Sequence, residues 1–263
     1  PYLNDISFIG SQYEFRRSKP WTDDDAPGFG ASRANYETKV IAGNSFDYPA
    51  MHGQSIVKAG YSFVSSSDES VGSGKVNLME YPVVDLILGK ERQTQIGRGV
   101  FDSQFKTFPA ELQQTITAYC NQGGNVLVSG AYVGTDLWDN GEVNVQDLDF
   151  AKKVLKYNWR TGQASVTGEV KSVQSPFLMI SGHYEFYNEL NEHSYVVESP
   201  DAIEPADPAC FTIYRYSENN LSAGVAYKGK YKTCVLGFPI ETLKSDEQRD
   251  KLMADILLFM SSK

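Results

Sequence analysis

One stretch decides the fold of this chain: Gly123-Gly124-Asn125-Val126-Leu127-Val128-Ser129-Gly130-Ala131-Tyr132. The paired glycines are typical of a helix end, the three apolar residues after Asn125 indicate a buried strand, and the small residues that follow indicate a sharp turn. In enzymes built on α/β sheets, such a turn holds the catalytic nucleophile at the carboxyl edge of the sheet. This chain offers Ser129 there and no cysteine. We therefore expect the architecture of a catalytic site without its usual reactive atom.

Strand and helix patterns alternate around that stretch. The elements predicted in chain order are a strand at 39–44, a helix at 49–59 ended by Gly60, strands at 61–65 and 81–89, a helix opening at Pro109, and a strand at 126–128. Such alternation is the pattern of βαβ units. It predicts an α/β fold with a doubly wound, mostly parallel, flavodoxin-like sheet.

The pattern changes in the second half of the chain. A helix is predicted at 147–158, antiparallel strands at 165–173, 183–187, 194–198 and 211–216, and a last core strand at 233–239. Ser245 followed by Gln248 forms a capping box that opens a closing helix. We expect an irregular N-terminal arm over 1–38 and a single α/β domain over 39–263. An antiparallel β insertion would occupy about 162–225, before the last α/β unit.

Composition excludes several classes of partner. The 263 residues carry 24 Lys and Arg against 33 Asp and Glu, a net charge of −9, which argues against nucleic acid because phosphate binding needs a basic surface. No run approaches the roughly 20 apolar residues of a transmembrane segment. The three cysteines, Cys120, Cys210 and Cys234, have neither disulfide-framework nor zinc spacing. Aromatic residues, at 13%, suit either carbohydrate stacking or strand packing, and the second interpretation is favoured.

Three motifs carry a resemblance to a known family. They are Val84-Asp85-Leu86-Ile87-Leu88-Gly89, the stretch quoted first, and Val235-Leu236-Gly237-Phe238-Pro239 with the helix after it. Together they resemble the class I glutamine amidotransferase-like fold. Over roughly residues 39–263 the chain also looks like a segment of large exported Bacteroidetes proteins often labelled xanthan lyase. The resemblance implies an exported location (periplasm, cell surface or extracellular) and neighbouring domains in a larger chain.

The chain departs from the amidotransferase pattern at the positions that carry chemistry. Those enzymes use a cysteine at the turn, with a His and a Glu near the last strand. Here the turn has Ser129-Gly130-Ala131, and Phe238-Pro239-Ile240-Glu241 brings no histidine. Because ammonia release from glutamine needs a thiolate activated by an imidazole, that activity is not expected. The leading hypothesis is a non-catalytic scaffold or ligand-binding module of an exported envelope or glycan-processing protein.

Side chains at the carboxyl ends of the strands are the candidate site, because ligands of open α/β sheets bind there. The predicted ligand-binding residues are Asn44, Tyr48, Lys90, Glu91 and Tyr132. Ser129, His52 and Asp47 could also be drawn as a hydrolase triad. In the competing interpretation, Ser129 only permits the tight turn and His52 caps or packs.

The alternative function is a polysaccharide-active enzyme, a lyase or a hydrolase. A lyase acting on uronic acids needs a base and a group that neutralises the sugar carboxylate. His183-Tyr184-Glu185-Phe186-Tyr187 contains candidate bases, and Arg160 or Arg215 could neutralise the carboxylate. The competing interpretation, a half-buried strand with alternating polar and aromatic residues, is favoured.

One further motif partly fits a calcium loop. Oxygen-bearing side chains fall at the first, fifth, ninth and twelfth positions, and they belong to Asp136, Asn140, Asn144 and Asp147. The third position, Trp138, supplies no oxygen. An acidic, solvated loop is therefore the favoured interpretation, and we expect neither a metal nor another cofactor.

Overall fold

The computed structural model describes residues 48–93, 106–189, 191 and 194–262. The predicted arm over 1–38 and the predicted strand at 39–44 lie outside these residues. The helices are α1 (Tyr48–Lys58), α2 (Asp68–Gly72), a 3₁₀ turn (Leu78–Glu80), α3 (Ala110–Asn121), α4 (Thr135–Trp138), α5 (Val145–Asp149), a π-helical turn (Phe150–Leu155), a second 3₁₀ turn (Ile240–Thr242) and α6 (Asp246–Ser261). No helix in the described part of the chain is long and apolar enough to cross a membrane.

The strands fall into two groups. They are β1 (Val83–Gly89), β2 (Asn125–Gly130), β3 (Tyr157–Thr161), β4 (Glu169–Ser172), β5 (His183–Glu185), β6 (Ala202–Pro205), β7 (Cys210–Tyr216), β8 (Ser222–Lys228) and β9 (Lys232–Leu236). Seven of them form one sheet in the order β1-β2-β9-β8-β7-β4-β5, while β3 and β6 form a separate antiparallel pair. Within the large sheet, β1, β2 and β9 are parallel, and every pairing beyond β9 is antiparallel.

The prediction of a doubly wound, mostly parallel sheet is therefore wrong. A tight hairpin joins β8 to β9, with Lys228 opposite Lys232, and a loop this short can connect only antiparallel strands. Among the described residues no helix lies between β3 and β9, so the strands from β4 to β8 are not joined by the helical crossovers of βαβ units. The antiparallel strands instead extend the sheet outward from β9.

The sheet also curls back on itself into a half-barrel. The segment after β9 reaches the far edge strand, where Phe186 and Leu243 form an antiparallel bridge. The amide of Lys244 donates to the carbonyl of Glu185 at 2.8 Å. The segment after β9 thus pairs with the edge of the sheet at β5. The antiparallel strands therefore pack around the same core as the parallel strands β1, β2 and β9.

Several predicted elements are confirmed. α1 ends before Gly60, which takes a left-handed φ of 88°, and α3, β1, β2 and β9 lie where they were predicted. α6 begins after Ser245, whose Oγ accepts from the amide of Gln248 at 3.3 Å. The reciprocal half of the capping box is not formed, since the side-chain oxygen of Gln248 accepts from the amide of Glu185 instead.

Other predicted elements differ from the structure. The strands predicted at 61–65 and 194–198 are not formed, although both stretches contain residues that favour strands. The helix predicted at 147–158 stops at Leu155 because Lys156 takes a left-handed φ of 74°, and the chain continues as β3. β8 was missed because its Ala-Gly-Val-Ala core has low strand propensity.

Two apolar layers cover the two faces of the sheet. Along β2, Leu127 faces one layer, whereas Val126 and Val128 face the other, as the alternation of a strand requires. The first layer lies under α1 and α6, and the second under α3 and the π-helical turn. The candidate site lies in the first layer, near the carboxyl ends of the parallel strands.

Candidate functional site

A buried cluster of charged side chains lies at this position. His52 Nδ1 is 2.7 Å from Asp85 Oδ2, and His52 Nε2 is 3.2 Å from Glu241 Oε2. The hydroxyl of Tyr195 donates to the other Glu241 oxygen at 2.8 Å. The side chains of His52 and Glu241 are 1% and 0% exposed, so these charges interact with little screening by water.

The elements that carry the cluster explain its geometry. His52 lies in the second turn of α1, Asp85 lies in the middle of β1, and Glu241 lies in the 3₁₀ turn after β9. Because β2 lies between β1 and β9, the imidazole joins the two strands that flank the predicted nucleophile strand. The cluster therefore ties a helix to both sides of β2.

The protonation of His52 follows from these partners. Burial lowers the pKa of the imidazole, but the charge and hydrogen bonds of Asp85 and Glu241 outweigh that effect and raise it to about 10. His52 is consequently an imidazolium at neutral pH, with both N–H groups donating to carboxylates. In that state it has no lone pair with which to accept a proton.

The structure does not assemble the hydrolase triad. Ser129 is fully buried on β2, paired with Ile87 of β1 and Leu236 of β9. Among the described residues its Oγ has no hydrogen-bond partner, so no base activates it. Both nitrogens of His52 are held elsewhere, and Asp47 lies outside the described residues. Of the three triad candidates, only Ser129 and His52 can be placed, and they are not hydrogen-bonded to each other.

The predicted ligand-binding side chains are buried rather than open to solvent. Tyr48, Lys90, Glu91 and Tyr132 are between 2% and 9% exposed, and Asn44 lies outside the described residues. The stretch from Ser194 to Glu198 contributes to this burial, as two contacts show.

The first contact is between two rings: the centroid of Tyr195 lies 5.2 Å from that of Tyr48. The second is an ion pair of 2.7 Å between Glu198 Oε2 and Lys90 Nζ. This stretch lies across the carboxyl ends of the parallel strands, where α/β enzymes keep an open crevice. The edge of the sheet is covered at this point.

No thiol takes the place of the missing nucleophile in the described part of the chain. Cys120, Cys210 and Cys234 are all buried and free. Burial raises the pKa of Cys120 to about 12 and that of Cys210 to about 11, and it raises that of Cys234 further. Thiols in such surroundings stay protonated and unreactive at neutral pH.

The first half of the calcium-loop candidate makes internal hydrogen bonds. Asp136 accepts from the backbone amides of Gln93 at 2.7 Å and Thr107 at 2.8 Å. It also accepts from the side-chain nitrogen of Asn140 at 2.6 Å, so this amide acts as a donor to Asp136. The carboxylate therefore fixes the backbone around it.

The second half of that candidate is also engaged in the fold. Asp147 pairs with Lys106 at 2.6 Å and accepts from Gln113 at 2.7 Å. Asn144 caps α5 by accepting from the amide of Gln146 at 2.9 Å. In the described residues, no group of three or more His, Cys, Asp or Glu side chains could hold a metal ion.

The lyase candidates do not converge on one cleft. His183 and Arg215 both pair opposite Lys171, so they share a row across three neighbouring strands. Tyr184 is 1% exposed and points into the core, on the opposite face of its strand from His183. Arg160 lies on β3, in the other sheet. Tyr184 thus lies on the opposite face of the sheet from Arg215, whereas His183 and Arg215 share one face with β4 between them.

A second buried carboxylate fixes the turn after β2. Asp201 accepts from the amides of Gly134 at 2.6 Å and Thr135 at 2.8 Å, and from the indole N–H of Trp159 at 3.1 Å. Burial raises its pKa to about 7, and these donors oppose that rise. The turn that would present a nucleophile is held by backbone hydrogen bonds to this side chain.

Sequence reasoning missed the residues that define the cluster. Asp85 is the one charged residue of β1, and a carboxylate in an otherwise apolar strand signals a buried partner. Glu241 entered the sequence analysis only as the last residue of a motif that lacks the expected histidine, and no role was predicted for it. Tyr195 had no signal, because its role depends on where the 194–198 stretch lies in the folded chain.

Comparisons with known proteins bear on the fold alone. No protein-family model matches the chain. No curated protein matches it either. Among solved structures, the chain resembles the mmIFT52 N-terminal domain with a TM-score of 0.50 and 13% identity, over 82% of this chain and 90% of that one. At this identity the likeness shows a shared fold, and it supports the mixed, curled sheet over a flavodoxin-like one.

A second structural match is weaker. The exo-beta-1,4-mannosidase Op5Man5 from Opitutaceae bacterium strain TAV5 aligns with a TM-score of 0.39 and 10% identity, over 72% of this chain. The match spans about a quarter of the mannosidase, 26% of its chain. A likeness at this level carries no argument about fold or activity.

Proposed function

We propose that this chain is a non-catalytic scaffold or ligand-binding module of an exported envelope or glycan-processing protein. The observation that carries the proposal is the state of His52, whose two ring nitrogens are both held by carboxylates. An imidazole used as a general base must keep one nitrogen free for the nucleophile. The exported, glycan-processing setting rests on the resemblance of the sequence.

The nucleophile and the substrate entrance that an acyl-transfer site would need also support a non-catalytic role. Such chemistry needs an activated nucleophile and an accessible place for the substrate. Ser129 Oγ is buried without a base, and the cysteines lie elsewhere in the core. Tyr195 and Glu198 occupy the edge where a substrate would enter. Binding would therefore use surfaces outside this edge, with carbohydrate or neighbouring domains as partners.

The test is a set of turnover assays on the full 263-residue chain. Glutamine, an activated ester and a uronic-acid polysaccharide are each offered to the wild type and to Ser129→Ala. We expect both proteins to match the buffer blank for ammonia, alcohol and unsaturated sugar products. Turnover of glutamine or ester by the wild type that is lost in Ser129→Ala would overturn the proposal.

The polysaccharide arm separates binding from catalysis. Calorimetric titration with the same uronic-acid polymer measures binding, and ultraviolet absorbance detects the unsaturated ends that a lyase would create. Heat of binding without a rise in absorbance supports the ligand-binding form of the proposal. The absence of both signals supports the scaffold form. Steady release of unsaturated product would contradict both forms, and its loss in His183→Gln would locate the lyase site.

A further inference from the structure

The segment that follows α4 contains the pair Asn140-Gly141, and Asn140 ties this segment to a distant part of the chain. The side-chain nitrogen of Asn140 donates to the carbonyl of Gln93 at 2.7 Å and to Asp136 Oδ1 at 2.6 Å. Because both partners are acceptors, they fix which end of the Asn140 amide faces them. Asp136 also accepts from the backbone amides of Gln93 and Thr107. Asn140 thus supplies a donor to a small buried network.

The backbone next to this side chain is open to reaction. Gly141 is exposed and has a φ of 96°. In the described part of the chain, a Cβ built on Gly141 would meet nothing within 4 Å beyond its chain neighbours. No backbone hydrogen bond among the described residues engages the Gly141 amide. A free amide nitrogen with no side chain beside it, one residue after an asparagine, can reach the asparagine Cγ and close a five-membered ring.

We propose that Asn140-Gly141 is a site of spontaneous deamidation, and that the conversion releases position 140 from Gln93 and Asp136. The Gly141 nitrogen loses its proton to base in the solvent and forms a bond to Asn140 Cγ. The bond from Cγ to Nδ2 then breaks, and the side-chain nitrogen takes up protons from water and leaves as ammonia. Water opens the succinimide ring at either carbonyl and gives aspartate or isoaspartate. The sum of these steps is the hydrolysis of one amide by one water molecule.

The product cannot replace asparagine in the network. An ionised carboxylate only accepts hydrogen bonds, and the Gln93 carbonyl and Asp136 are acceptors as well. Asp136 is 6% exposed, so its repulsion of a second carboxylate is weakly screened by water. Conversion therefore breaks both contacts of position 140 and adds one negative charge to the surface of the module.

The fold controls the rate of this reaction. The two hydrogen bonds hold the Asn140 side chain in place, and its Cγ must turn toward the Gly141 nitrogen before attack can occur. The segment must therefore open locally first, and the folded protein converts more slowly than the unfolded chain. The site is a slow switch that runs in one direction, because the ammonia is lost to solvent.

Asn144 offers a matched comparison in the same segment. It is exposed, and its side chain accepts from the amide of Gln146 at 2.9 Å. The residue after it is Val145, whose β-branched side chain crowds the backbone nitrogen that would attack. An acid at position 144 would keep its acceptor role at the start of α5, whereas an acid at position 140 loses a donor role.

Mass spectrometry of the full chain after incubation in mildly alkaline buffer tests the chemistry. We expect acid forms at position 140 to accumulate at least about 10-fold faster than at position 144. Gly141→Ala should slow conversion at position 140 on the order of 10-fold, because its methyl group obstructs the attacking nitrogen. Equal rates at the two asparagines, or a rate that Gly141→Ala leaves unchanged, would overturn the proposal. Conversion at position 140 in urea but never in the folded protein would also overturn it.

Two substitutions that copy the product test the structural effect. Asn140→Asp should speed hydrogen exchange at the amides of Gln93 and Thr107 on the order of 10-fold, with α6 still protected as the folding reference. Asn144→Asp makes the same chemical change and should leave these amides unaffected, because an aspartate still caps α5. If the two variants behave alike, position 140 is not released from the network and the proposed switch is wrong.

Discussion

Replacing His52 with glutamine removes the positive charge that lies between two buried carboxylates. Glutamine keeps one side-chain donor but leaves Asp85 and Glu241 without a compensating charge, and Glu241 is fully buried. Removing one partner of a buried ion pair costs about 3–5 kcal/mol, because the remaining charge stays unpaired in the interior. We expect His52→Gln to lower the free energy of unfolding by that amount at pH 7.

The pH dependence gives a second measure of the same interaction. The pKa of His52 rises from 6.5 in the unfolded chain to about 10 in the folded protein. At about 1.4 kcal/mol per unit, this shift corresponds to about 5 kcal/mol of stabilisation. Because the folded state holds the proton more tightly, the contribution is complete below pH 6.5 and is lost as the pH rises through 10. The stability advantage of the wild type over His52→Gln should therefore shrink between pH 7 and pH 10.

Urea unfolding at pH 5, 7, 9 and 10 measures these quantities by linear extrapolation. His183→Gln is the matched control, because the His183 side chain is 58% exposed, and it should cost less than about 0.5 kcal/mol. A loss below about 1 kcal/mol for His52→Gln at pH 7, or an advantage that does not change from pH 7 to 10, would refute the argument.

Two further substitutions test the packing of the mixed sheet. A Cβ on Gly224 would lie 2.8 Å from Leu236 Cδ2, so Gly224→Val should cost about 1–3 kcal/mol by overpacking, measured as a lower thermal midpoint. Lys232 Nζ donates to the carbonyls of Phe259 at 2.7 Å and Met260 at 3.1 Å at the end of α6. Lys232→Met should lower the free energy of unfolding, measured in urea, by about 1–2 kcal/mol, whereas Lys230→Met, at an exposed position, should leave it unchanged. Equal effects of the two substitutions would argue that these hydrogen bonds do not stabilise the end of α6.

The sequence predicted best those elements whose signals are local. β1, β2 and β9 are short apolar runs, and α3 and α6 have amphipathic spacing with clear ends at Gly123 and Ser245. The identity of these elements does not depend on what they pack against. That is why the parallel half of the sheet was predicted well from periodicity.

The antiparallel half could not be predicted in the same way. β8 contains Ala223, Gly224 and Ala226, which have weak strand propensity and fit there because β9 and β7 pack closely on either side. Pairing partners are long-range choices, and a propensity scale holds no information about them. β4, β5 and β7 were predicted as strands of an antiparallel insertion, but the sequence did not show that they extend the sheet that holds β1, β2 and β9.

The candidate site also has features that the sequence shows directly and features that only the tertiary structure decides. The sequence by itself determined that the turn at the end of β2 has Ser129 and no cysteine, because these are facts of composition and order. Only the tertiary structure decided that His52 binds Asp85 and Glu241, which are 33 and 189 residues away, and not Ser129. It also decided that Tyr195 and Glu198 cover the carboxyl edge. The reason is physical: protonation and access depend on which distant groups share a buried, weakly screened space, and chain folding alone brings those groups together.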